Sequence, residues 1–358
     1  MKKFVAIFIF ILSFTGIWAQ INVTCDNYSS YIGQLYNNGN YFQILEYSDS
    51  LLHSCRFTSQ QKLNIYKYSA AAAYELDNDS LFLLYGHLLY KVAPHFTYQQ
   101  GGDPTPLAKL KPKFVVYPRY TLGMSLGMNT VYVDRINMYQ VMDSMDVSEP
   151  YYSFPALTAS LVFQYNLSRM FSLAYYGGIY FSDYYKRNYF YNGFLTTVYK
   201  ESVHGISNQW LVKLSLPMRR ITNITPYIMG GGFFDFKLKA TARISLIKSS
   251  DSTLYPDFKM PSTTSSTIYY DIFSKRPMRY MYNYGYTVGL GGNYSSEDFS
   301  FFAEVLFQKG YMLYNNPNIR YLNFVLLKYY YVDNDIILNK LFIRIGFTYN
   351  FKYKVERR

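Results

Sequence analysis

Gly123-Met124-Ser125-Leu126-Gly127 is a literal G-x-S-x-G, the pattern on which serine hydrolases expose their nucleophile. That chemistry needs a sharp strand-to-helix turn, a general base and an acid to orient the base. The chain offers four histidines as bases: His53, His87, His95 and His204. The first three fall among helical periods or just after them, and read as solvent-facing or packed residues before they read as ligands. His204, expected in the second long loop with Ser202 or Ser207 beside it, imitates the His–Ser pairs of lipid-modifying enzymes, but spacing places no acid next to it. Asp333-Asn334-Asp335 has too few oxygen ligands in register for calcium. No metal and no cofactor is expected.

The two cysteines, Cys25 and Cys55, favour a disulfide if the chain is exported, with a pair of free thiols as the alternative. Six charged residues, Arg119, Lys213, Asp235, Lys237, Glu304 and Arg344, alternate with apolar ones in strand-like segments. They are expected on an inner face, where they cannot all stay unpaired. Glu304 and Arg344 come from neighbouring segments and are expected to pair, and a plug of salt bridges is favoured over a conduction path.

The elements that must position these residues follow from composition and period. The 358 residues carry a formal charge of +12, are half apolar, and include 43 Tyr and 28 Phe but 2 Trp. Tyrosine in such excess suits surfaces where an apolar ring ends in a wet hydroxyl, membrane interfaces among them. Lys2 and Lys3 precede an apolar run from Phe4 to Trp18 and the small Ala19, which reads as a signal peptide over 1–19, without a lipobox. After it no stretch reaches the roughly 18 to 20 apolar residues of a spanning helix. The basic balance on an exported, tyrosine-rich chain points to anionic lipid head groups and not to nucleic acid.

From Ser29 to Ala93 the apolar positions follow a helical period. Four short helices fit, broken by Asn38-Gly39-Asn40 and by 56–59, and capped before the fourth by Asp77-Asn78-Asp79-Ser80. An antiparallel hairpin of the first two brings Cys25 near Cys55, and a bridge there closes a loop of about 30 residues, worth roughly 3 to 4 kcal/mol. The spacing of Leu35, Gly39, Tyr41, Ala73 and Tyr74 resembles a degenerate tetratricopeptide pair, with Leu35, Tyr41, Tyr66 and Tyr74 as candidate partner-binding residues. A helical hairpin domain without a ligand is the equal alternative. Prolines and Gly101-Gly102 mark a linker over 96–117.

Beyond Arg119 the period becomes 2. Eight segments alternate apolar residues with Gly, Ser, Thr and Asn, as in the smallest transmembrane barrel, with strands of about ten residues. Tight turns at 166–169, 219–223 and 295–298 alternate with connections read as long loops, which puts both chain ends on the turn side. A soluble calyx would be rich in Lys and Glu on its polar face, and here that face is mostly Gly, Ser, Thr and Asn with few charges. Ser125 therefore falls mid-strand, and the hydrolase motif has no turn to stand on.

The runs FPALTASLVFQYNLSRMFSLAYYGGIYFSDYY, WLVKLSLPMRRITNITPYIMGGGFFDFKLKA and YGYTVGLGGNYSSEDFSFFAEVLF resemble the PorT-like outer-membrane β-barrel family of Bacteroidota over about 114–353. The resemblance implies an eight-stranded barrel in the outer membrane; the family includes parts of secretion and gliding machinery and many proteins of unknown role. It departs from the family pattern at its end, where Phe351 is followed by a basic tail.

The expected organisation is a signal peptide (1–19), a periplasmic helical domain (20–95), a linker (96–117), an eight-stranded antiparallel transmembrane β-barrel (118–353) and a tail (354–358). Lys248, Lys259, Lys275, Arg276 and Arg279 form a candidate basic loop patch for lipopolysaccharide phosphates or a surface partner. The favoured function is a non-enzymatic membrane anchor or assembly scaffold, with the helical domain binding a periplasmic or envelope protein. A small-solute porin and an outer-membrane lipid hydrolase are the alternatives.

Overall fold

The structure, a computed structural model, describes residue 25 and residues 27–139, 147–191, 193–216, 224–248 and 263–358. The expected signal peptide and the turn at 219–223 lie outside the described residues. The chain divides into two compact units, Met1–Tyr117 with Lys354–Arg358, and Pro118–Tyr353.

Among its described residues the first unit has four helices, α1 (Tyr28–Asn37), α2 (Tyr41–Ser54), α3 (Ser59–Glu75) and α4 (Asp79–Val92). Gly39 turns the chain between α1 and α2 at a φ of +76°, a conformation that side chains with a Cβ resist. Thr58 and Gln61 form a reciprocal capping box at the start of α3. At α4 the Asn78 side chain accepts from the Leu81 amide at 3.1 Å. The alanines 70–73 on α3 are fully buried and let its neighbours approach closely. Tyr28 is also fully buried. Its hydroxyl donates to the Ile44 carbonyl at 3.0 Å and lies 2.8 Å from Ser48, which meets Ser69 at 2.7 Å. Burial pushes the Tyr28 phenol well above its usual value, so the network stays neutral over any physiological pH.

A disulfide joins Cys25 to Cys55, with Cα atoms 5.7 Å apart. A Cys25→Ser/Cys55→Ser chain is expected to lose roughly 3 kcal/mol of stability in this unit, by the loop-closure argument. Denaturant unfolding followed by helical circular dichroism reads the loss, and an unchanged midpoint would refute it.

The stretch expected as a linker does not behave as a spacer. Short 3-10 turns at Thr105–Lys109 and Lys111–Lys113 carry Leu107, Leu110 and Phe114 into the core around α3 and α4. A Cβ on Gly86 would press on the Leu110 and Phe114 side chains. The proline count signals the absence of long helix but not the absence of packing. The tail is tied down too, because Val355 joins that core and the Arg358 amide donates to the Lys113 carbonyl at 2.9 Å.

The second unit is built from antiparallel strands. Their bounds are β1 (Phe114–Asn137), β2 (Val147–Ser148), β3 (Tyr152–Phe154), β4 (Ala156–Asn166), β5 (Phe171–Phe190), β6 (Leu195–Ser215), β7 (Ile224–Lys248), β8 (Thr263–Tyr270), β9 (Tyr282–Ser295), β10 (Phe299–Gly310) and β11 (Asp335–Arg357). Eight of them close a ring in the order β5-β4-β1-β11-β10-β9-β7-β6, with β6 returning to β5. Closure leaves no free edge among the eight. The fold is an eight-stranded antiparallel β-barrel with helices before it. The chain enters and leaves the barrel at the rim of the tight turns, since Tyr120 pairs with Tyr165 and Tyr349 with Phe299.

Along much of the wall the usual order of a protein is inverted. Leu126, Leu157, Leu161, Leu290, Ile343 and Ile345 are 59–66% exposed on the outside, while Thr121, Ser125, Gln209, Thr287 and Gln308 are buried inside. In water that arrangement would forgo about 25 cal/mol for each Å² of apolar surface left wet. Only a hydrocarbon surrounding removes the penalty, so this belt is lipid-facing and the barrel is a transmembrane one.

Above the belt the order reverts. Tyr180, Tyr184, Phe190, Phe194, Leu195 and Tyr199 pack inside, and Arg187, Lys200 and Arg243 are exposed outside. β5 and β6 run on through this zone as far as the Phe190–Leu195 pair, and β7 and β8 pair Ala240–Ile247 with Thr263–Tyr270. Over these described stretches, where long loops were expected, the chain is a paired extension of the barrel. An apolar-outward alternation cannot find strands whose outer face has turned polar.

Candidate functional site: a lumen closed by buried ion pairs

Strand parity aims one side chain in two inward, and the inward set carries charge at successive heights. Lowest, Glu304 on β10 lies opposite Arg344 on β11. Its carboxylate accepts from Arg344 Nε and Lys213 Nζ, each at 2.8 Å, and from the Tyr176 and Tyr227 hydroxyls, each at 2.6 Å. The three charged side chains are 0–6% exposed. The Arg344 guanidinium also covers the Tyr176 ring at 3.8 Å.

Higher, Lys340 Nζ meets Asp235 Oδ2 at 2.5 Å, and Lys237 Nζ donates to the Tyr280 carbonyl at 2.7 Å. Above the belt, Arg279 is 1% exposed and holds two carboxylates. It donates to Glu201 Oε1 from Nε at 3.0 Å, and to Asp333 from Nη1 at 2.7 Å and Nη2 at 2.9 Å. Hydroxyls of Tyr184 and Tyr314 donate to Glu201 at 2.6 and 2.5 Å, and the Tyr199 hydroxyl closes the same cluster. Last, Arg320 pairs with Asp335 at 2.6 Å and lies over the Tyr139 ring. Glu304, Asp235, Glu201, Asp333 and Asp335 each face a cation, as a low-dielectric interior favours, whereas Lys186, 2% exposed, has the Tyr151 ring at 5.4 Å and no carboxylate paired with it among the described residues.

Arg119 takes no part in this network. It is exposed, and its guanidinium lies over the rings of Tyr120 and Tyr165, because β1 is still at the wet rim at that height. Lys213, Asp235, Lys237, Glu304 and Arg344 all enter the lumen. Glu201, Lys340, Arg320 and the inward Tyr176 and Tyr227 were missed, although counting back by twos from Lys213 reaches Glu201, and from Arg344 reaches Lys340.

Arg279, expected in the exposed basic patch, is instead buried between Glu201 and Asp333. Lys275 and Arg276 are exposed, Lys248 is half-buried over the Phe194 ring at 5.3 Å, and Lys259 lies outside the described residues. Asp333 and Asp335 serve arginines and not a cation site. Among the described residues no three His, Cys, Asp or Glu converge as metal ligands.

The hydrolase candidates separate. Ser125 points into the lumen, 2% exposed and without a hydrogen-bond partner. Its flanking glycines let β1 pass against β11, since a Cβ on Gly123 would strike the Phe347 carbonyl and one on Gly127 the Ile343 carbonyl. His204 is not in a loop but within β6, half-buried on the outer face and edge-on to Phe181 at 4.9 Å. Ser207 faces the other side. Ser202 shares the face of His204, and Asp183 lies across from Ser202, but no hydrogen bond joins the three among the described residues.

The candidate partner-binding residues of the helical unit also divide. Leu35 and Tyr66 are 2% and 9% exposed and belong to its core, because the helical period that singled them out is the period of the buried face. Tyr41 is half-buried against Tyr36 at 5.3 Å, and Tyr74 lies under Lys109 Nζ at 4.3 Å. Among the described residues of this unit the large apolar side chains left exposed are Phe42 at 73%, Leu84 at 51% and Leu76 at 43%.

No family model matches the chain, and no curated protein matches it. Among solved structures, it is similar to the outer membrane protein OprG of Pseudomonas aeruginosa at 10% identity, covering 65% of this chain and 95% of that one with a TM-score of 0.35. Neisserial surface protein A aligns at 11% identity over 66% of this chain and 99% of its own, TM-score 0.29. Ail of Yersinia pestis, solved with the heparin analogue sucrose octasulfate, aligns at 11% over 65% and 99%, TM-score 0.26.

Proposed function

We propose that the chain is an outer-membrane barrel that conducts nothing and serves as an anchor or assembly scaffold, its helical unit recruiting a protein partner in the periplasm. The observation that carries this reading is the closed lumen. Glu304 with Lys213 and Arg344, Asp235 with Lys340, and Glu201 with Arg279 and Asp333 block it at three heights, so the free surfaces are the helices and the outer wall.

The entry of the chain at the turn rim supports a periplasmic helical unit, following the usual disposition of turns inside and longer extensions outside. The disulfide between Cys25 and Cys55 fits that oxidising compartment. We read the protein as non-enzymatic because Ser125 engages no base, and we keep the PorT-like placement as part of the proposal. The filled lumen argues against the porin alternative.

Phe42, exposed on α2, is the residue to test for contact. A photo-crosslinking residue at position 42 of the tagged full-length chain, activated in cells before extraction from the outer membrane, is expected to trap one protein in stoichiometric yield. Absence of any trapped protein at positions 42, 76 and 84 would remove the recruitment role.

A further inference from the structure

The outer wall directly above the lipid-facing belt carries unpaired cations in register. Across β5, β6 and β7, Phe181, His204 and Lys239 form one outward row, Asp183, Ser202 and Thr241 the next, and Tyr185, Lys200 and Arg243 the third. β8 extends the upper two rows with Tyr269 and Thr267. Immediately below, Ile179, Ile206 and Leu238 are exposed apolar residues of the belt. Lys200, Lys239 and Arg243 are exposed, and none makes an ion pair among the described residues. Asp183 is the single carboxylate within the three rows.

Aromatic rings frame the patch. Tyr152 and Phe154 stack on Tyr185 at 5.2 and 5.3 Å, and Lys200 Nζ stands 5.5 Å from the Phe154 ring centre. Rings ending in hydroxyls at the top of an apolar wall mark the level of the lipid head groups. Arg243 and Lys239 are four residues apart on one strand, roughly 13 Å at the usual rise, with Lys200 directly across from Arg243. A head group resting there meets cations at two heights while its acyl chains continue down the belt.

We propose that Lys200, Lys239 and Arg243 form a binding site for a phosphorylated glycolipid of the outer leaflet. The site rests on the outer-membrane orientation given above. Phosphate oxygens take the Lys and Arg heads, the sugar rings lie against Tyr185 and Tyr269, and the chains lie on Ile206 and Leu238.

The test uses the full-length protein and its Lys200→Gln/Lys239→Gln/Arg243→Gln variant in nanodiscs of phosphatidylcholine. Each is doped in turn with bisphosphorylated lipid A, dephosphorylated lipid A or phosphatidylglycerol, and retained lipid is read by native mass spectrometry after transfer to detergent. Heat-modifiable gel migration checks that both barrels are closed. Wild type is expected to retain the phosphorylated glycolipid above the other two, and the variant to lose about fivefold in retention for each cation removed. Equal retention by variant and wild type, or equal retention of the dephosphorylated form or of phosphatidylglycerol, would overturn the site. Orientation is read separately, by maleimide labelling of a Ser265→Cys chain in intact cells, Ser265 being exposed on β8. A protected cysteine would overturn the orientation and leave the nanodisc result to stand on its own.

Discussion

Glu304→Ala is expected to destabilise the barrel by about 3–5 kcal/mol, the cost of breaking a buried pair by removing one partner. Glu304 is the single carboxylate that accepts from Lys213, Arg344, Tyr176 and Tyr227. Its loss leaves an ammonium and a guanidinium facing each other inside the membrane zone, together with two phenols that lose their acceptor. Glu304→Gln keeps the shape and one acceptor oxygen but not the charge, so it falls between wild type and Ala. Adding Lys213→Met to Glu304→Ala removes one of the stranded cations and recovers part of the loss, a coupling typical of residues in one network. Urea unfolding in detergent or vesicles, followed by heat-modifiable migration, measures all four chains. Equal stability of Glu304→Ala and wild type would show that the cluster is hydrated and that the lumen is not sealed there.

Arg279→Ala comes second, at about 3–4 kcal/mol by the same argument. The arginine satisfies Glu201 and Asp333 together, but the two carboxylates are not equally exposed to its loss. Glu201 keeps three phenolic donors, from Tyr184, Tyr199 and Tyr314. Asp333 loses both of its guanidinium bonds. Arg279→Ala/Asp333→Asn is therefore expected to be more stable than Arg279→Ala alone, whereas Arg279→Ala/Glu201→Gln gains less. If Glu201→Gln proved the better rescue, the assignment of the main uncompensated charge would be wrong. The cluster lies above the belt, so protease nicking of the barrel extension in detergent-purified protein gives a second readout, with faster cleavage expected in Arg279→Ala.

How far these sites could be read from the sequence depended on which side of the wall was wet. Within the belt the alternation of Leu122, Met124, Leu126 and Met128 with small residues reveals strand, facing and neighbour, and from it the inward position of Glu304 and Arg344. Above the belt the outer face holds Asp183, Arg187 and Lys200 while Tyr184, Phe190 and Tyr199 turn inward. The same period is present there with its polarity reversed, and a search for outward apolar residues sees only loop. That reversal hid the β5–β6 hairpin, the Glu201 side of the cluster and the burial of Arg279. In the helical unit, Asn78 and Gly39 signal caps and turns through local chemistry. The docking of Leu107 and Leu110 depends on contacts distant in sequence, which no local pattern encodes.

The outer cationic rows belong to the same lesson. Lys200 is far in sequence from Lys239 and Arg243 and becomes their neighbour only when β6 and β7 are in register, including the shift beside His204. A charge count gives only the basic balance, and the register shows which cations stand together.

Single-molecule conductance in planar bilayers tests the central claim most directly, because a barrel sealed at Glu304, Asp235 and Arg279 has no continuous water path. Purified full-length protein is expected to leave the bilayer silent across the usual voltage range. Discrete, reproducible conductance steps from the wild-type chain would contradict the sealed lumen and return the protein to the class of solute channels.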